Sequence, residues 1–251
     1  MGATELWLVR HGESVANVAA GEAERAGAER IEVAFRDADV PLSPTGERQA
    51  RALGGWLAEN ATVEHPSSVW VSPYLRARQT IGIALEEAGL GAVPQVDERL
   101  RDRELGILDL LTSRGVDALL PDEAARRRWL GKFYYRPPGG ESWADVALRV
   151  RSLLADLDLI TVARPGSPGP VLIAAHDAVV MLFIYVCTGV SESDLLAFAR
   201  THTVSNASVT KLVRPSGTGL WMLDLFSHDE HVELRGVPTT EHSGDTDVIV
   251  H

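Results

Sequence analysis

Three short apolar runs in this sequence end in, or lead directly into, a cation or an imidazole. Leu6-Trp7-Leu8-Val9 is followed by Arg10 and His11, Ser68-Val69-Trp70-Val71-Ser72 by Arg76, and Val171-Leu172-Ile173-Ala174-Ala175 by His176. Guanidinium groups bind phosphoryl oxygens through paired, charge-assisted hydrogen bonds, and a neutral imidazole can act as nucleophile, base or metal ligand. Two arginines and two histidines in one dry pocket suit a dianionic phosphoryl group. Its transfer needs little beyond positioning, charge stabilisation and a nucleophile. A carboxylic acid would complete the set by protonating the leaving oxygen. The charge-dense stretch from Asp97 to Asp109, with its single Gly106, reads as a loop at a site.

These groups can meet only if the chain brings the three runs together. Each run is short and rich in strand formers, so each reads as a buried strand. The carboxyl ends of parallel strands converge on one rim of a sheet, where open α/β folds place their ligands. Pro94-Gln95-Val96 reads as a weaker third strand, and two later strands are expected at 208–213 and 221–226. Helical patterns lie between them. One follows Asn17 and passes into a loop toward Val40. Ser43 as cap and Pro44 at the first position open the next, with Ala50, Leu53 and Leu57 facing inward and an end near Asn60. A third carries Leu75, Arg76, Arg78 and Thr80. Ser142 and Asp145 form a capping pattern before Val146, Val150, Leu153, Leu154 and Leu157, which share one face. The last runs from about Ala178 to Thr188, stopped by Gly189. The order implies an α/β fold: a three-layer sandwich, with a mostly parallel central sheet and helices on both faces.

A chain of 251 residues can form one such domain. The expected division is a domain over 1–238 and a polar, acidic tail over 239–251, mostly poorly ordered, with 164–170 a Pro/Gly/Ser loop inside the domain. A content of 45% hydrophobic and 24% charged residues is that of an ordinary globular protein. The single cysteine, Cys187, beside Tyr185 and Val186, reads as a buried thiol in a reducing compartment. No leader-like stretch opens the sequence and no apolar run spans a bilayer, so a cytoplasmic location is expected. A net charge of -11 argues against nucleic-acid and anionic-membrane partners. The partner implied is a small phosphorylated substrate in a local basic pocket. The oligomeric state stays open, a homodimer included.

Five segments carry a resemblance: Arg10-His11-Gly12-Glu13-Ser14 with Asn17, Leu42-Ser43-Pro44-Thr45-Gly46-Glu47, Ser72-Pro73-Tyr74-Leu75-Arg76-Ala77-Arg78-Gln79-Thr80, Pro138-Gly139-Gly140-Glu141-Ser142, and Asn206-Ala207-Ser208-Val209. In type and order, over roughly 5–213, they resemble the motifs of the histidine phosphatase superfamily, the phosphoglycerate mutase-like family. The resemblance implies that His11 is the nucleophile that becomes phosphorylated, while Arg10, Arg76 and His176 hold the phosphoryl group. Ser14, Asn17 and Arg103 fall at further substrate-binding positions. The acid is expected at Asp102, where many members have Glu, with Glu104 the neighbouring alternative. The chemistry implied requires no metal and no cofactor. Asp177 is a second departure, since the family usually has Gly there. A carboxylate at that place is expected to turn outward at a helix start, where an anion is favoured, rather than oppose the phosphate.

The superfamily contains hydrolases and mutases. The Trp-Asn and Phe-x-Gly-Trp pattern that comes after the first motif in the mutases is absent between Val18 and Val40, which favours a phosphomonoester hydrolase. A cofactor-dependent phosphoglycerate mutase is the alternative, and a non-catalytic phosphate-binding regulatory protein a third reading. Three features invite plainer readings. The basic and aromatic residues from Arg126 to Arg136 suit a solvated helix face as well as a substrate lid. Glu141-Ser142 reads as a helix start at the rim of a site. His228-Asp229-Glu230-His231 reads as a solvated turn rather than a metal site.

Overall fold

The computed structural model describes residues 2–60, 66–163 and 169–241. Six strands form one sheet among them: β1 (Glu5–Arg10), β2 (Ser68–Val71), β3 (Gln95–Val96), β4 (Val171–Ala175), β5 (Val209–Val213) and β6 (Met222–His228), in the order β3-β2-β4-β1-β5-β6. β1 and β3 flank the pair β2 and β4 in parallel, whereas β5 runs antiparallel to β1 and β6 antiparallel to β5. The helices are α1 (Val15–Ala26), α2 (Pro44–Asn60), α3 (Leu75–Glu87), α4 (Ser113–Leu119), α5 (Pro121–Tyr134), α6 (Trp143–Ala163), α7 (Asp177–Thr188), α8 (Glu192–Thr201) and α9 (Glu230–Glu233).

Alternation along the two central strands builds both cores. Leu6 and Leu8 of β1, with Val171 and Ile173 of β4, pack against Val146, Val150 and Leu153 of α6 and Val180 and Phe183 of α7. Trp7, Val9, Leu172 and Ala174 point the opposite way, onto Leu53 and Leu57 of α2 and Ile81 of α3. A strand buried on both faces reads as a continuous apolar run, and a helix layer on each side is what makes that run soluble in the fold. The three-layer α/β sandwich with a mostly parallel sheet is therefore the structure of this chain. Among the described residues no helix is long and apolar enough to cross a membrane.

Several local readings shift. The first helix starts at Val15, before Asn17, because Ser14 is its cap and Asn17 closes a reciprocal box with it. Helices α4, α8 and α9 were not legible in the sequence. Only Leu195 of α8 is buried, so no apolar stripe marks it. The expected loop at 164–170 falls almost wholly outside the described residues, as do residues 242–251 of the expected tail. At the start of that tail, Gln49 Nε2 donates to Pro238 O and to Thr240 Oγ1, both at 2.9 Å.

Candidate active site

β1, β2 and β4 end side by side, so the residues just past their carboxyl ends share one rim. His11 N donates to Ala175 O at 3.0 Å and Ser72 N to Ala174 O at 3.0 Å, which extends the ladder past the last strand residues. The other side of His11 is pinned by Asn206, whose Nδ2 donates to His11 O at 2.9 Å, and by Ala207 N, which donates to both Arg10 O and His11 O. Gly12 lies against the start of α2, where a Cβ on Gly12 would stand 2.7 Å from Gly46 O. That close approach requires glycine. The segments of the sequence motifs thus touch one another through backbone.

His11 and His176 are buried, with ring centroids 5.1 Å apart and planes steeply inclined. The Nδ1 of His11 lies 2.7 Å from Gly12 O. A carbonyl only accepts, so Nδ1 carries the proton and Nε2 holds the lone pair. Arg76 Nε donates to that Nε2 at 3.3 Å. Burial, then the charge of Arg76, His176 and Arg10, hold the His11 imidazole well below its ordinary pKa and keep it neutral. His176 Nε2 lies 2.8 Å from Ser72 Oγ, which itself accepts from Tyr74 N at 3.2 Å. With Ser72 donating its own proton to Nε2, the N–H of His176 is at Nδ1, on the side of Asp102.

Asp102 lies among these groups. Its Oδ2 is 3.0 Å from Arg76 Nη2 and 3.2 Å from His176 Nδ1, the latter contact too bent for a full hydrogen bond, while Oδ1 accepts from Arg103 N at 2.8 Å. Burial alone would raise the Asp102 pKa, but His176, Arg76 and His11 outweigh it and hold the carboxyl well below the usual range. Glu104 is elsewhere employed, its Oε1 accepting from Tyr74 Oη at 2.7 Å. The segment carrying Asp102 is held by α6 and its cap. Glu141 pairs with Arg101 at 2.6 Å and Arg149 at 3.1 Å, and Arg149 also donates to Asp102 O at 3.0 Å and Arg99 O at 2.6 Å. Glu141 at the helix start is therefore an anchor for the loop.

Arg10, His11, Arg76, Asp102, Arg103, Ser14 and Asn17 all line one cavity of about 590 Å³. Arg10 donates to Val204 O, and Arg76 Nη1 to Asp37 Oδ1 at 2.8 Å and Asp37 O at 2.7 Å. Asp37, in the loop after α1, was not singled out in the sequence, because nothing in an acidic loop marks the residue that will fold back onto an arginine. Ser14 and Asn17 are committed in part to their helix cap, Asn17 N donating to Ser14 Oγ at 3.1 Å and Ser14 N to Asn17 Oδ1 at 3.1 Å. Arg103 Nε donates to Glu141 O at 2.8 Å.

Two sequence readings need correction, and a third divides. Asp177 is the first residue of α7, but it does not turn outward. It lines the cavity with Oδ1 buried and without a hydrogen-bond partner among the described residues, and burial raises its pKa against the opposing charge of Arg10. The helix amino terminus itself points into the cavity, so its first side chain goes there too. His231 is no part of a solvated turn. It is buried under Trp56, rings 6.1 Å apart, with Nε2 3.0 Å from Ala207 O. The cluster from Arg126 to Arg136 divides by face: Arg127 is buried and lines the cavity, while Arg128 and Arg136 form outer ion pairs with Asp117 and Asp145.

One side-chain trio, His11, Asp102 and His176, brings three potential ligand atoms within 4.8 Å of one another. The Arg76 guanidinium already contacts both His11 and Asp102, so the field there suits an anion better than a metal cation. A neutral imidazole whose lone pair faces an arginine, with a second histidine and a carboxyl beside it, defines a phosphoryl-transfer centre at the rim of an α/β sheet. Residues 6–225 match the model of the histidine phosphatase superfamily (branch 1), and the chain belongs to that family.

Two relatives set the neighbourhood. A 2,3-bisphosphoglycerate-dependent phosphoglycerate mutase of Methylobacterium radiotolerans is 31% identical over 191 residues, 76% of this chain and 82% of that one. A glucosyl-3-phosphoglycerate phosphatase of Mycobacterium tuberculosis is 32% identical over 186 residues, 72% of this chain and 73% of its own. The solved complex of a mycobacterial glucosyl-3-phosphoglycerate phosphatase with inorganic phosphate superposes with a TM-score of 0.69 at 27% identity, covering 92% of this chain and all (100%) of that one.

Proposed function

We propose that this protein is a phosphomonoester hydrolase that acts on a small phosphorylated metabolite through a phosphohistidine at His11. The observation that carries the reading is the placement of the His11 ring, with Nδ1 against Gly12 O, which can only accept, and Nε2 facing Arg76. Arg10, Arg76 and His176 hold the phosphoryl oxygens, and Ser14, Asn17 and Arg103 border the rest of the substrate. The Asn17 cap uses Oδ1 and leaves the amide nitrogen for a ligand.

Nε2 of His11 attacks phosphorus in line with the ester oxygen. The P–O bond breaks, and the departing alkoxide takes a proton from Asp102. Before substrate binds, Asp102 is ionised by the surrounding cationic and dipolar groups. An arriving phosphate dianion opposes that field and raises the Asp102 pKa, so the carboxyl can hold the proton it must give. In the second step Asp102, now a carboxylate, takes a proton from water while the water oxygen attacks phosphorus. The P–N bond breaks and releases inorganic phosphate. Nothing in this cycle calls for a metal or cofactor. The buried Cys187, with its thiol pushed up to about 12 by burial, adds to the reading a cytoplasmic, reducing setting.

The mutase reading uses the same His11 but returns the phosphoryl group to a second position of the substrate. A panel of sugar phosphates, phosphoglycerates, nucleotides and phosphopeptides, assayed for both phosphate release and isomer formation, separates the two. Phosphate without isomer is expected. Isomer formation from a phosphoglycerate at a rate above phosphate release would overturn the hydrolase in favour of the mutase.

A further inference from the structure

The cavity is larger than a phosphoryl group requires, and much of its wall is apolar. Ile31, Val33 and Phe35 come from the loop after α1, and Leu108, Leu110 and Leu111 from the segment beyond Asp102. Backbone contacts join the two segments: Ile31 N donates to Leu110 O at 2.9 Å, Thr112 N to Glu29 O at 3.2 Å, and Arg30 and Leu111 form an isolated bridge. The apolar wall is therefore preformed. Phe35 is 46% exposed, and Leu105, another lining residue, 38%. Leu110 is held at φ 57°, a left-handed conformation that a leucine adopts only at a cost. Large apolar groups kept open on a concave, internally braced wall mark a place for an apolar ligand.

Charge points the same way. The cavity is lined by four arginines, Arg10, Arg76, Arg103 and Arg127, and by six carboxylates. Burial pushes Asp37 and Asp177 toward their neutral forms, and Asp102 holds its proton once phosphate is bound; Glu24, Asp109 and Glu241 then offset three of the four arginines. Once a phosphate dianion is bound, no cationic surplus remains for a second anionic group on the substrate.

Resting on the phosphatase reading above, we propose that the substrates are phosphate monoesters of an apolar alcohol, aryl or branched alkyl, that carries no second anionic group. The phosphoryl end then sits with His11 and Arg76 while the alcohol is received by the wall of Phe35 and Leu110. This class differs from the phosphoglycerate esters for which the two relatives are named.

The test compares kcat/KM for 2-phenylethyl phosphate, glycerol 2-phosphate and 3-phosphoglycerate. All three leave as alkyl alcohols, so leaving-group acidity does not dominate the ratio. Burial of one phenyl ring predicts a preference for 2-phenylethyl phosphate of roughly tenfold or more over each of the others. Phe35→Asp and Leu105→Asp, both at half-open positions that the core does not need, should each shrink that preference to under about threefold, through KM for the phenyl ester. Binding of the non-hydrolysable 2-phenylethylphosphonate and 3-phosphonopropanoate, measured by calorimetry, asks the same question without turnover. Equal affinity for the two phosphonates, or a preference for 3-phosphoglycerate in turnover, overturns the inference and leaves the hydrolase standing. Tighter binding of the phenyl phosphonate with no hydrolysis of any ester supports the apolar wall and sinks the hydrolase instead.

Discussion

The carbonyl of Gly12 stands 2.7 Å from Nδ1 of His11 and so decides which nitrogen of that ring keeps its lone pair. The residue after the histidine fixes its tautomer through its own backbone, and no side chain is spent on the task. Nε2 is left facing Arg76, at 3.3 Å, where a phosphoryl group would be bound.

His11→Ala should abolish turnover, because it removes the acceptor of the phosphoryl group. Rapid quench of the unaltered protein with a phosphomonoester should trap an acid-labile phosphate on His11. A variant retaining more than about a hundredth of the rate would remove His11 from the nucleophile's role, since binding and charge stabilisation alone rarely leave so much.

Asp102→Asn should lower kcat/KM roughly a hundredfold or more on an alkyl ester and much less on a nitrophenyl ester, whose good leaving group needs no acid. Glu104→Gln, which removes the charge but keeps an amide oxygen that can accept from Tyr74 Oη, should treat both esters alike. The reverse pattern would move the acid to Glu104.

Glu141→Gln tests a positioning residue that touches no reacting atom. It removes the charge that pairs with Arg101 and Arg149, whose side chains are 31% and 9% exposed, and should cost about 2 kcal/mol of stability. With the loop loosened, Asp102 is misplaced, so kcat/KM should fall further on the alkyl ester than on the nitrophenyl ester. An equal loss on both would make Glu141 a stabilising residue only.

His231 makes a prediction about pH. Burial lowers its pKa to about 4, whereas an unfolded chain protonates it near the ordinary histidine value of about 6.5. Between those values the unfolded state binds a proton that the folded state does not, so stability falls as pH drops from about 6.5 toward 4. His231→Gln can keep the donation to Ala207 O while removing the titration. Chemical denaturation at a series of pH values should show a shallower acid decline for the variant, and an unchanged slope would place the proton uptake elsewhere.

The layers of the fold could be read from the chain because they rest on local chemistry. Leu6 to Val9 and Val171 to Ala175 are apolar at every position, which only a strand covered on both faces requires, and Ser43-Pro44 and Ser142-Asp145 name their own helix starts. The motif residues at His11, Arg76 and His176 were visible for a related reason, since each ends or succeeds such a strand.

What the sequence could not decide was set by distance in space between groups far apart in the chain. Asp102 and Glu104 are two residues apart in an extended segment, and their separation into a cavity group and a partner of Tyr74 depends on how Glu141 and Arg149 hold that segment. Asp177 is expected to turn outward at a helix start, where an anion is favoured, but the amino end of α7 opens into the cavity. The stretch holding His231 reads as a solvated turn and nothing local marks Asp37, yet Trp56 covers one and Arg76 captures the other. By itself the sequence determined the strands, the caps and the polar residues, His11, Arg76 and His176, that the strands deliver to one rim, because burial pattern and motif are written residue by residue. Tertiary structure alone decided which carboxylate joins His11 and His176, and which apolar side chains complete the cavity that His11 lines, because those contacts join segments with no local signal for one another.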